Sequence, residues 1–127
     1  MSLNSNKLNS MKNEEPFVEL DPEDAAPMIE QGTIRVIDVR QPYEYAKGHI
    51  EGAMLVPIEG LYTFAQALAA QKLKWDQPIL FVCAVGQRSA AASEVAAIAG
   101  HTKVYNLSGG MGGWAYAGFP ISHESRQ

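Results

Sequence analysis

Apolar and polar positions change period several times along this chain. Residues 17–20 (FVEL) alternate, which predicts a short strand. Residues 21–24 (DPED) carry the signals of a helix start: an Asp able to cap, a proline suited to the first helical position, and acids that favour the positive end of the helix dipole. Pro27 falls inside that helix and is expected to kink or split it, and Gly32 is expected to end it. Residues 34–39 (IRVIDV) form a β-branched, nearly continuous apolar run, the pattern of a strand buried on both faces of a parallel sheet. Residues 41–53 (QPYEYAKGHIEGA) hold a short helix between turn signals, and 53–57 read as a third short strand. Leu61, Phe64, Ala65, Leu68 and Ala69 recur at helical spacing within 59–73. Residues 79–82 predict a fourth strand, 89–99 an alanine-rich helix able to approach a sheet closely, and 102–106 a fifth strand. Residues 108–120 (SGGMGGWAYAGFP) contain a last short helix carrying Trp114.

Strand and helix thus alternate about five times. The expected fold is α/β, a five-stranded, mainly parallel sheet with helices on both faces. The sequence has no internal repeat. One domain is expected over 16–122, between a polar, Asn- and Ser-rich N-terminal tail (1–15) expected to be disordered and a short C-terminal tail (123–127).

Composition narrows the function. The chain has 127 residues and is 46% hydrophobic, which suits one compact core. Its net charge is −4 and no basic cluster occurs, so nucleic-acid binding through phosphate neutralisation is not expected. No apolar run approaches the ~18–20 residues of a membrane span. The N-terminal stretch has no apolar segment of the kind a secretory signal needs. A single cysteine excludes an internal disulfide and a cysteine-cluster zinc site. It also fits a reducing compartment, and a cytoplasmic location is the expectation.

That cysteine, Cys83, follows the fourth strand directly. In open α/β sheets, ligands sit at the carboxyl ends of strands. The next helix begins near Arg88, so Ala84, Val85, Gly86 and Gln87 must turn the chain tightly. In such a turn successive N–H groups can converge on one point and form an anion nest. The helix N-terminus adds partial positive charge, and Arg88 is expected to add a full one. Gly86 permits a positive φ, and Ser89 can cap the helix or donate to the sulfur. A thiol in that field is expected to be acidic and nucleophilic. The plainer alternative is a small buried hydrophobe closing a strand. The Gly, Arg and Ser that follow at loop-to-helix spacing favour the nucleophile.

Three segments resemble one family. VIDVRQPYEYAKGHIEGAMLVP (36–57) is similar to the strand-and-loop signature of rhodanese-like sulfurtransferases, commonly D-V-R, then E, then G-H-I-x-G-A. CAVGQRS (83–89) resembles their active-site loop, C-x-x-G-x-R-S, and LSGGMGGW (107–114) their closing G-G-x-x-x-W segment. The resemblance covers roughly 17–120, and three motifs in the right order make it specific. It implies a rhodanese-like fold in which Cys83 takes a sulfane sulfur from a donor, thiosulfate or a persulfide, and passes it to a thiol or cyanide acceptor. It implies Ala84, Val85, Gly86, Gln87, Arg88 and Ser89 as the substrate-binding loop, and no metal or organic cofactor. A protein acceptor is compatible with the same chemistry.

Relatives of the family with phosphatase or arsenate reductase activity use C-x5-R, a loop one residue longer that fits a tetrahedral oxyanion. The C-x4-R of Cys83 to Arg88 fits a sulfur adduct better. Ala84, Val85 and Gln87 are uncharged, whereas relatives that favour thiosulfate often carry basic residues there, so modest thiosulfate activity is expected. No second cysteine is present to resolve a persulfide internally, which argues against a thiol–disulfide oxidoreductase. A further alternative is that the fold serves as an interaction or sulfur-relay module.

Other residues draw structural readings. Asp38 and Arg40, at the end of the second strand, are expected to support the site by pairing with Glu44, His49 or backbone amides. His49 is read as structural, since an activated thiolate needs no general base. His101 and His123 are expected at the surface, and Trp114, Tyr116 and Phe119 are expected to close the core. Gly109, Gly110, Gly112 and Gly113 lack phosphate-loop spacing and are read as turn and close-packing positions.

Overall fold

The computed structural model describes residues 16–123. The predicted tails, 1–15 and all but the first residue of 123–127, lie outside the described residues. Five strands, β1 (Val18–Leu20), β2 (Arg35–Asp38), β3 (Met54–Leu55), β4 (Ile79–Val82) and β5 (Val104–Leu107), form one sheet in the order β1-β5-β4-β2-β3. Every neighbouring pair is parallel. The helices are α1 (Pro22–Glu30), α2 (Pro42–Lys47), α3 (Leu61–Ala70), α4 (Gln87–Ala99) and α5 (Gly110–Tyr116).

Side-chain alternation along the strands divides the core in two. Ile79 and Phe81 of β4, with Ile37 and Val104, meet Phe64 and Leu68 of α3 and Ala92 and Ala96 of α4. Leu80 and Val82, with Val36 and Leu107, meet Ala25 of α1, Tyr45 of α2 and Met111 and Trp114 of α5. The sheet is therefore covered on both faces, as the α/β pattern predicts. The middle strand β4 is buried along its whole length, which is why its sequence shows an unbroken apolar run. On α4 the inward positions Ser89, Ala92, Ser93 and Ala96 are all small and buried, so the helix lies close to the sheet.

Several local expectations are corrected. Helix α1 runs through Pro27 without splitting. Pro27 and Glu23 both face solvent, so water can satisfy the carbonyl that Pro27 leaves without an intrahelical donor. The third strand is only Met54–Leu55. Leu61 is 59% exposed, because it sits on the first turn of α3, beyond the edge of the core. Tyr116 is 95% exposed at the end of α5 and closes nothing, whereas Trp114 is buried, donates from its indole Nε1 to the Pro120 carbonyl (2.8 Å) and packs on Phe119. His101 is buried, not superficial, because Trp75 lies against its ring at 4.7 Å between centroids. That burial lowers its pKa from the ordinary histidine value. Among the described residues, no helix is long and apolar enough to cross a membrane.

Candidate active site

Parallel topology brings the ends of β2, β4 and β5 to one edge of the sheet, and Cys83 stands there, completely buried, as β4 gives way to the loop before α4. Its Sγ accepts hydrogen bonds from the Gly86 N–H (3.1 Å), the Ser89 N–H (3.3 Å) and the Ser89 hydroxyl (3.2 Å). Gly86, the residue before α4, adopts φ +106°, a conformation costly for any residue with a Cβ. That turn bends the chain back so that amides on both sides of it face the sulfur.

The outward carbonyls of the loop are fixed as well. The Met111 N–H donates to the Cys83 carbonyl (2.8 Å) and the Gly112 N–H to the Ala84 carbonyl (3.0 Å). With those carbonyls held by the first turn of α5, the loop's N–H groups are left to point the other way. The contact demands glycine at 110: φ is +59°, and a Cβ there would lie 2.6 Å from the Ala84 carbonyl carbon and oxygen and closer still to the Cys83 oxygen. The glycine-rich segment near the C-terminus is thus the back support of the cysteine loop.

Burial opposes ionisation of the Cys83 thiol and is the largest single influence on it. The Ser89 hydroxyl and the Ser89, Gly86 and Val85 amides together outweigh it, and the thiol pKa is lowered from the ordinary cysteine value.

Arg88 is not placed as a free cation. Its guanidinium closes in bidentate fashion on the Glu44 carboxylate of α2, Nη1 to Oε1 at 2.8 Å and Nη2 to Oε2 at 2.9 Å. The Arg88 hydrogen bond, countered by some burial and aided by the Gln41 N–H, holds the Glu44 carboxyl at about 2. The expectation of an undiminished positive charge over the cradle is therefore corrected: the Arg88–Glu44 pair is close to neutral. Gln87 and Val85 point to solvent, with Val85 66% exposed, and Ala84 is half-buried.

Asp38 and Arg40 pair with each other. Arg40 Nε and Nη2 donate to the Asp38 carboxylate at 3.0 and 2.9 Å, the Arg40 N–H adds a third bond, and Nη2 also reaches the Gly48 carbonyl at 2.7 Å. Both side chains are buried, so the pair ties β2 to the turn after α2, and the hydrogen bonds to the sulfur come from Gly86 and Ser89 instead. His49 stacks on Tyr45 (3.6 Å between centroids, 3° between planes), and its Nδ1 lies 2.8 Å from the Tyr45 carbonyl, an acceptor that fixes the proton on that nitrogen. Among the described residues, no cluster of three or more His, Cys, Asp or Glu side chains is arranged to hold a metal.

Asn106 carries no motif that marks it in the sequence. It is a buried amide in β5 whose Nδ2 donates to the Gly86 carbonyl (3.1 Å) and to Glu19 of β1 (3.0 Å). The available signal was a polar residue interrupting the apolar strand VYNL at the same sheet edge as Cys83.

The fold and site define a class: a parallel α/β domain holding a lone thiol in a cradle of backbone amides. The chain belongs to the rhodanese-like domain family, whose pattern matches residues 21–117. Solved structures agree. A rhodanese-related protein from Thermoplasma volcanium is 28% identical, superposes with a TM-score of 0.70, and is matched over 85% of this chain and 100% of its own. The polysulfide-sulfur transferase homodimer from Wolinella succinogenes is 27% identical, with a TM-score of 0.71 over 94% of this chain and 88% of its own. A Rhodopseudomonas palustris protein described as a possible tyrosine phosphatase is 26% identical, with a TM-score of 0.69 over 96% of this chain and 97% of its own.

Proposed function

We propose that this chain is a single-domain sulfurtransferase that carries sulfane sulfur as a persulfide on Cys83. The observation that carries the proposal is the convergence of three donors, the Gly86 and Ser89 amides and the Ser89 hydroxyl, on one buried sulfur. The same donors that favour a thiolate favour the anionic persulfide that replaces it.

The Cys83 thiolate attacks the outer sulfur of a donor persulfide. A bond forms between the two sulfurs, the donor's S–S bond breaks, and the donor thiolate leaves with the electron pair. With thiosulfate the leaving group is sulfite. An acceptor such as cyanide or a thiolate then attacks the outer sulfur of the Cys83 persulfide, the S–S bond breaks, and the Cys83 thiolate returns. No metal or organic cofactor enters either half, and the net change is a transferred sulfur atom.

The charge of the cradle supports a donor of low charge. The Arg88 fork is closed on Glu44, and the exposed side chains nearby on the loop and on α2 include Val85 and Tyr43, each 66% exposed. The thiosulfate dianion finds backbone N–H groups there and an Arg88 charge already shared with Glu44, while exposed Lys47 of α2 lies beside the Tyr43 ring, 6.0 Å from its centroid. The same closure disfavours phosphate-ester hydrolysis, which needs the arginine fork on the oxyanion. A persulfide of a small thiol or of a protein thiol fits better, and a reducing, cytoplasmic setting suits a thiol exchanged between such partners.

The test compares thiocyanate formation from thiosulfate and from glutathione persulfide, beside hydrolysis of an aryl phosphate. The proposal expects transfer from both sulfur donors, with kcat/KM favouring the persulfide, and no hydrolysis above that of Cys83→Ser. Phosphate hydrolysis with no sulfur transfer contradicts it.

A further inference from the structure

We propose that Asn106 is a positioning residue for the Cys83 cradle, clamping Gly86 so that its N–H stays on the sulfur. The inference rests on the reading of Cys83 as a thiolate nucleophile. Asn106 lies on β5, beside Phe81 of β4 on one side and Glu19 of β1 on the other. By strand alternation it shares a face with Val104, which stands opposite Ile79, four residues before Cys83, and belongs to the core cluster on the face that α4 covers, so the Asn106 side chain is on the cysteine-loop side of the sheet.

Its amide orientation is determined by its neighbours. Nδ2 faces two acceptors, the Gly86 carbonyl at 3.1 Å and Glu19 Oε2 at 3.0 Å, so the NH2 group must point there. Glu19 is held in turn by the Ser108 hydroxyl, which donates to Oε1 at 3.0 Å. Gly86 is consequently gripped at both ends. Its N–H donates to Sγ, and its carbonyl accepts both the Ala90 N–H of α4 (3.2 Å) and Asn106 Nδ2. A glycine at φ +106° has many other conformations within reach, and the helix bond alone is long. The side-chain bond removes that freedom.

The position is costly to fill this way. Asn106 is 2% exposed, and among the described residues its buried Oδ1 has no hydrogen-bond partner. An apolar residue would leave no orphaned oxygen in this strand. The retained amide does what no apolar side chain can, which is to donate to the Gly86 carbonyl across the sheet edge.

The test is the pH profile of Cys83 alkylation by iodoacetamide in wild type, Asn106→Leu and Val104→Ala. Val104→Ala truncates the core on the same strand and face, so it reports general loosening. The clamp predicts that Asn106→Leu raises the midpoint by about half a pH unit, part of the full unit that loss of one hydrogen bond to an anion would give, while Val104→Ala leaves it within error. If Asn106→Leu does not fold, Asn106→Thr, a residue suited to strands, is read in its place. A midpoint in the Asn106 variant equal to wild type overturns the clamp and leaves the nucleophile reading intact. An equal rise in Val104→Ala also overturns it. An ordinary cysteine midpoint in wild type overturns both.

Discussion

Ser89→Ala isolates one contribution to the cradle. Ser89 is fully buried and its hydroxyl lies 3.2 Å from Cys83 Sγ, while its N–H, 3.3 Å away, is retained by alanine. The substitution therefore removes one of three donors and little volume. A hydrogen bond to a charged group contributes about 1.5–3 kcal/mol. At 1.36 kcal/mol per unit, the lower end, suited to a large and diffuse acceptor such as sulfur, raises the thiol pKa by about one unit. Reactivity does not follow the thiolate fraction alone. Intrinsic nucleophilicity rises with pKa at a Brønsted slope of about 0.4–0.5, which returns about threefold for that unit. Below the wild-type midpoint, alkylation should fall about three- to fourfold in place of tenfold, and above both midpoints the mutant should react about threefold faster. The two pH profiles should cross. Iodoacetamide kinetics followed by mass spectrometry reads this directly. Profiles that coincide, or a mutant slower at every pH, would refute the claim that the Ser89 hydroxyl stabilises the thiolate.

The other predictions concern the frame of the site. Glu44→Gln keeps an acceptor for the Gln41 N–H but frees the Arg88 fork; kcat/KM for thiosulfate should rise about fivefold relative to glutathione persulfide, the equivalent of about 1 kcal/mol for a partly exposed pair. The Glu44 carboxyl, depressed to about 2, adds stability that is complete above its ordinary value of 4.5 and is lost as pH falls toward 2, so wild type should lose about 1 kcal/mol more than Glu44→Gln over that range in urea titrations. Gly110→Ala forces a Cβ against the Cys83 and Ala84 carbonyls and should cost about 1–3 kcal/mol by the same titration, with Cys83 alkylation at neutral pH slowed in whatever folds. Arg40→Leu leaves the Asp38 carboxylate buried and unpaired, and should cost about 3–5 kcal/mol in stability without moving the Cys83 alkylation midpoint.

The sheet and its helices were legible because burial writes itself into the sequence. The apolar run at 79–82 and the β-branched run at 34–39 suit strands covered on both faces, and β4 is buried throughout while β2 is buried from Val36 to Asp38. The small residues of 89–96 anticipated a helix lying close to the sheet. The position of Cys83 at a strand's carboxyl end followed from the same alternation. The partner of Arg88 did not follow, because Glu44 lies 44 residues away and side-chain pairing across elements depends on how the elements are juxtaposed. The glycines of 109–113 signal close packing, but periodicity does not say that the Met111 and Gly112 amides fasten the Cys83 and Ala84 carbonyls. His101 and Tyr116 were misplaced for a related reason: a polar ring can be buried under a neighbouring tryptophan, and an aromatic at a helix end can face water.

The most direct test of the central claim is the intact mass of the protein after exposure to glutathione persulfide, with Cys83→Ser beside it. Wild type is expected to gain the mass of one sulfur atom, cyanide to remove it, and Cys83→Ser to gain nothing. A wild type that stays unloaded, or a Cys83→Ser protein that loads equally, would contradict that claim.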